Sequence, residues 1–361
     1  MNNKIKMIAP ILLGVTLTLT GCNLFNKQAE PELVQTLHET QKEGQSAPQI
    51  TALQPLNVMT LQVTFSEPLP EEDTVIENLD AIKSNFNFDN NLSIVNIPRL
   101  KIGAKSTYLV PVTIQNPGTT YSLSYKGGEK QTFKGSDEKI NASQTKQVTN
   151  DTFEIESFKK EGVTDYSNII EAYKAARGDL SFQVNDENKD EKGKQYQIIS
   201  SLRDRVVTLT ANNGEEMKAN YVLFTQAADG RQAPKFRLPE GQTLKPGMKY
   251  IVTSDWATIK NPTFVATQIP PLTIKSVEPI DSKSFQITLD KDPGMELFAG
   301  RSVQLQADDG KTIQANYRYT SRKGATGIFD VKDATLKPGV KYKVLPINNW
   351  ATANNVTLLA K

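Results

Sequence analysis

A chain with one cysteine and one histidine has few ways to do chemistry. Cys22 and His38 leave no cysteine pair to oxidise and no Cys/His set to hold a structural zinc. Any nucleophile–histidine couple would have to use His38, which stands in the polar stretch 23–47 and reads as a solvated bystander. Oxygen donors are more plentiful. LDKDPGME (289–296) gathers Asp290, Asp292 and Glu296 about a glycine turn, and DENKDE (186–191) is a second acidic group. Calcium is the ion such donors would take, though the interleaved Lys291 and Lys189 oppose a tight site. No other cofactor is expected. Trp256 and Trp350 each open a Trp-Ala-Thr triplet. An exposed indole there could stack on a sugar ring; the competing reading is that both fill a core. No Gly-x-Ser-x-Gly, His-Glu-x-x-His or phosphate-binding loop occurs. The expectation is a protein without enzymatic activity.

The first 22 residues carry Lys4 and Lys6, then an apolar run through Leu19. That is the layout of an export signal, too short to span a bilayer. It ends Leu19-Thr20-Gly21-Cys22, which resembles the lipobox of bacterial lipoproteins. The resemblance implies cleavage before Cys22 and a diacylglyceryl group on its sulfur. It makes 1–21 a signal peptide and 22–47 a lipidated polar tether, and anchors the chain on the extracytoplasmic side of the cell membrane. More than one acyl chain is what stable anchoring requires.

The balance of charge is close to even, 42 Lys+Arg against 40 Asp+Glu, with no basic stripe, so no nucleic-acid partner is expected. Hydrophobic residues make up 38% of the 361, enough to bury cores, and the length suggests two or three domains.

The strongest organising signal is a repeat. TLKPGMKY (243–250) returns as TLKPGVKY (335–342), and RVVTLTANNGEEMKANY (205–221) aligns without a gap to RSVQLQADDGKTIQANY (301–317). The period is that of one sandwich domain, not of a solenoid unit. Alternation at Val207, Leu209 and Ala211 predicts a strand, and Asn213-Gly214 and Asp309-Gly310 predict hairpins, because both residues tolerate positive φ. The octapeptide has the form of a tyrosine corner. Pro-Gly turns the chain, Tyr250 or Tyr342 bonds back to upstream backbone, and Leu244, Val252, Leu336 and Val344 face a core. A fainter copy keeps Pro117-Gly118, Tyr121 and Leu123 but has Gln115 in place of the leucine. PLNVMTLQVTFSEPL (55–69), QVTNDTFEIESFKKE (147–161) and PIDSKSFQITLDKDP (279–293) share a turn and an alternating strand, with Leu61, Val63 and Phe65 inward in the first.

The fold expected is all-β, with tandem Greek-key sandwiches at 48–138, 141–269 and 272–361 and a stiff Pro-Pro joint at 268–272. The second carries a helix over 166–179 and a charged loop over 185–194, and the first a helical turn within 73–85. LQVTFSEPL, SNFNF (84–88) and Pro-Gly-x-x-Tyr together resemble bacterial Ig-like domains of S-layer and other cell-surface proteins. That resemblance implies a structural, adhesion or envelope-assembly role, with a surface protein as partner. The alternative is a cell-wall glycan recognised through Trp256 or Trp350.

Overall fold

Alternating stretches become strands in the computed structural model, which describes residues 47–166, 183–225, 231–294 and 298–361. The first group is β1 (Ile50–Asn57), β2 (Thr60–Phe65), β3 (Phe86–Phe88), β4 (Arg99–Leu100), β5 (Thr107–Pro111), β6 (Thr120–Tyr125) and β7 (Gln131–Lys134). These make two antiparallel sheets, β1-β2-β5-β4 and β3-β6-β7. Leu61, Val63 and Phe65 fill the space between them, with Phe65 edge-on to Phe86 and Tyr125. Helix α1 (Leu79–Asn85) supplies the expected helical turn.

The second group is β8 (Ile140–Gln147), β9 (Thr152–Phe158), β10 (Val163–Asp165), β11 (Gln197–Ile199), β12 (Val206–Ala211), β13 (Glu216–Tyr221), β14 (Arg231–Gln232), β15 (Lys235–Arg237), β16 (Lys249–Thr253), β17 (Ala257–Asn261) and β18 (Thr263–Val265). The third is β19 (Leu272–Pro279), β20 (Ser284–Leu289), β21 (Ser302–Ala307), β22 (Thr312–Tyr317), β23 (Thr326–Val331), β24 (Lys341–Pro346), β25 (Ala351–Thr352) and β26 (Thr357–Leu359). Their sheets run β17-β8-β9-β15-β13-β12-β16-β18 and β25-β19-β20-β23-β22-β21-β24-β26, the same order strand for strand. Each begins with a parallel pair, β17 on β8 and β25 on β19. The sequence repeat is thus a repeat of topology. The difference lies in one connection: residues 159–205 of the second group stand where the third has 290–301.

Three tyrosine corners close as the spacing requires. The hydroxyl of Tyr121 accepts from the N–H of Asn116 (2.9 Å), that of Tyr250 from Lys245 (2.9 Å) and that of Tyr342 from Lys337 (3.1 Å). Gly118, Gly247 and Gly339 all take positive φ at the turn. Leu244 and Leu336 are buried, and so is Gln115, whose amide donates to Asn57 O while its carbonyl accepts from Ser136 N–H. A buried glutamine replaces the leucine because both ends of its amide find partners.

Both expected hairpins form, β12 with β13 and β21 with β22. Gly214 (φ 84°) and Gly310 (φ 82°) are left-handed, whereas Asn213 and Asp309 are not. Gly214 N–H donates to Ala211 O and Ala211 N–H to Glu215 O, and Ala307, Gly310 and Lys311 repeat the set. This is a type I turn followed by a glycine bulge, so only the glycine needs the left-handed region. The predicted helix at 166–179 lies almost wholly outside the described residues.

Replacing Tyr250 or Tyr342 by Phe leaves a backbone N–H without its acceptor. Each change is expected to cost about 1–2 kcal/mol in denaturant unfolding, with the sheets' circular dichroism unchanged.

Candidate functional site

The residues singled out for chemistry do not converge. Cys22 and His38 lie outside the described residues. Trp256 is 1% exposed and Trp350 is 7% exposed, which corrects the reading of either as a ligand-facing platform. Each follows a corner tyrosine back into its sandwich. Trp256 stacks on Phe236 (5.9 Å), and Trp350 stacks on Phe329 (6.2 Å) and donates its indole N–H to Ser302 O (2.9 Å). The acids near Gly294 are dispersed as well. Asp290 accepts from Thr273 N–H, Asp292 pairs with Arg322 (2.6 Å), and Glu296 lies outside the described residues. Among the described residues no three His, Cys, Asp or Glu side chains gather as a cation site.

What does converge is polar chemistry at two junctions. At the first, between β9 and the turn into β21, Asp151 meets Arg301 in a two-pronged ion pair, Nη1 to Oδ2 at 2.5 Å and Nη2 to Oδ1 at 2.9 Å. Both side chains are 4% exposed. Thr149 and Thr152 hydroxyls donate to the same carboxylate. Burial opposes the charge on Asp151, but the hydrogen bonds and charge of Arg301 outweigh it and hold the carboxyl well below the usual range. Arg237 lies alongside, its Nε on Thr152 and its Nη1 on Ala299 O (2.7 Å). The Pro-Pro joint is pinned beside them: Asn150 donates to Ile269 O and accepts from Ile269 N–H.

At the second junction the described parts of the long connection, 159–166 and 183–205, bring residues against the first sandwich. Leu109, Tyr166, Val184, Tyr196 and Ile198 form a small core of their own. The charged loop expected at 185–194 keeps most of its side chains exposed, but Asn188 is buried, and Asn185 and Asp186 turn their carbonyls onto the first sandwich. Asn57 donates to Ile198 O, Thr60 bonds Ser200, and Tyr166 accepts from Ile102 N–H. Lys101, 1% exposed, donates to Gln62 Oε1 (2.7 Å), Asn185 O (2.6 Å) and Asn188 Oδ1 (3.1 Å). Its direct partners are all neutral. Burial pushes the Lys101 ammonium down to about 8, against the weaker pull of Asp186 and Glu187.

A further polar cluster sits on β9. Glu154 and Glu156 are both buried. Arg231 bridges them (3.0 and 2.5 Å), Lys235 pairs with Glu154 (2.5 Å), and Gln144 donates to Glu156. Two carboxylates side by side could serve acid–base chemistry. Here each is already committed to a cation, so the pair is arranged as an internal salt-bridge network.

Sequence reasoning missed Asp151, Arg301, Lys101 and Glu154. One signal was present. The ungapped repeat places Arg205 and Arg301 in register immediately before β12 and β21, and a charge held at the same strand start in both copies marks a shared structural task.

No family model matches the chain, and no curated protein matches it. Among solved structures it is similar to a tandem of titin domains, at 13% identity over 84% of this chain and 95% of that one, TM-score 0.24. It is also similar to the S-layer protein SbsC (11% identity, 88% of this chain, 54% of that one, TM-score 0.21) and to the FN1–FN3 domains of chicken CNTN1 (11%, 87%, 99%, 0.18). At such scores the likeness carries no argument, and the fold stands on its own strand ladders.

Lys101 sets a pH dependence. Its folded value near 8 lies below the ordinary 10.5, so the unfolded chain holds the extra proton between these limits and stability rises with pH there. Thermal unfolding between pH 8 and 10 should show that rise, and Lys101→Met should remove the contribution of this group.

Proposed function

We propose that the chain is an exported lipoprotein, anchored through Cys22, whose sandwiches serve a structural or adhesive role at the cell surface. The anchor rests on the Leu19-Thr20-Gly21-Cys22 sequence. The role rests on one observation above the others: the Asp151–Arg301 ion pair is buried between two sandwiches. A junction of that kind favours one relative orientation, because any hinge motion would separate a buried charge from its partner. Fixed orientation suits an element that holds partners at a set spacing. The partner in this reading is a surface protein, met by loops or exposed strand edges. The committed acids of β9 and the buried indoles supply no support for a hydrolase or for a glycan platform.

Cell fractionation tests the anchor. The wild-type chain should sediment with membranes and take up labelled fatty acid, and Cys22→Ser should do neither while still being exported. Continued acyl labelling of Cys22→Ser would overturn it. Crosslinking in intact cells tests the role: a discrete adduct with one envelope protein supports it, and turnover of a small substrate by the purified chain would contradict it.

A further inference from the structure

Arg205 and Arg301 occupy one position of the repeat. Each carbonyl accepts from the tyrosine that ends the next strand, Tyr221 (3.0 Å) and Tyr317 (2.9 Å). Each side chain is buried and leaves its own sandwich for the preceding one. Arg301 finds Asp151 there. The matching position for Arg205 is Met59, since Gln115 N–H donates to Val58 O as Leu244 N–H donates to Asn150 O. The position equivalent to Asp151 therefore carries a thioether, which sits in a hydrophobic core. The only side-chain hydrogen bond of Arg205 among the described residues goes to Val112 O (2.6 Å), and its Nε has no partner. Asp255 and Asp204 act on this guanidinium through charge alone, without a hydrogen bond, so its donor capacity is not used up within the chain.

A cavity of about 430 Å³ opens beside it. Arg203, Arg205 and Arg237 line it, against one carboxylate, Asp204, with Asn220 and Tyr319 adding donors. Nε of Arg203 is likewise buried without a partner. Asp204 is the one carboxylate in the cavity wall, while Asp151 and Asp255 act on Arg237 and Arg205 from outside it; the wall is left basic, and planar N–H forks match phosphate oxygens.

We propose that this cavity binds a phosphate group, supplied either as the free ion or as part of a phosphorylated envelope polymer. Phosphate binding by the cavity is independent of the lipid anchor and of the structural role; the polymer source alone rests on the exported location proposed above.

Titration calorimetry of the full-length chain in detergent, at constant ionic strength, tests it with inorganic phosphate as the probe. One saturable site is expected. Arg203→Gln, a half-buried position, should weaken it at least about tenfold by removing a charge-assisted donor. Asp204→Asn should tighten it by removing the opposing charge. Glycerol phosphate and a soluble phosphodiester polymer separate the two sources: competition by the polymer assigns a polymer-borne group, and competition by glycerol phosphate alone assigns a small free ligand. Absence of saturation at millimolar phosphate, or binding indifferent to both variants, would overturn the assignment.

Discussion

A guanidinium withdrawn from water must be given an anion, or it is a standing cost to the fold. Much of this molecule's arrangement follows from how it treats that requirement at two equivalent places. Arg301 is satisfied by a carboxylate that belongs to the neighbouring sandwich. The pair contributes less to net stability than to uniqueness, because its desolvation offsets most of its attraction. Any other docking of the third sandwich on the second would leave two buried charges apart. Around the pair, the threonine hydroxyls, Arg237 and the Asn150–Ile269 bonds complete the acceptors and donors that the junction removes from water.

At the other junction the chain uses bulk instead of charge. The described parts of the connection between β9 and β12, 159–166 and 183–205, bring both an apolar cluster and a set of carbonyls to the face of the first sandwich. Met59 joins the core of the second sandwich instead of meeting Arg205 with a carboxylate. The two junctions therefore share a topology and an arginine but differ in how the arginine is neutralised. One is complete within the chain, and the other leaves a basic cavity beside it.

Pattern reading served well wherever polarity and burial agree. The corner tyrosines, the inward Leu61, Val63 and Phe65 and the repeat itself were visible because they are apolar residues at fixed spacing or turn residues with a mechanical reason to be there. It failed wherever a polar residue is buried. β9 is buried on both faces, so Glu154 and Glu156 break the rule that alternate polar residues face solvent. The stretch 185–194 is largely exposed, as its charge suggests; the pattern could not show that Asn188 and the carbonyls of Asn185 and Asp186 meet Gln62 and the buried Lys101, more than eighty residues away in sequence. The tryptophans were ambiguous for a related reason: an indole is equally suited to a sugar face or to a core, and only the position of Phe236 and Phe329 decides between them.

The central claim is that Asp151 and Arg301 act as one unit across a junction, and a double-mutant cycle measures that directly. Asp151→Ala and Arg301→Ala should each cost about 3–5 kcal/mol, since each leaves a buried charge alone. The double variant should cost far less than their sum. Additivity of the two changes within about 0.5 kcal/mol would mean that the residues are energetically independent, and the account of a fixed junction would fail.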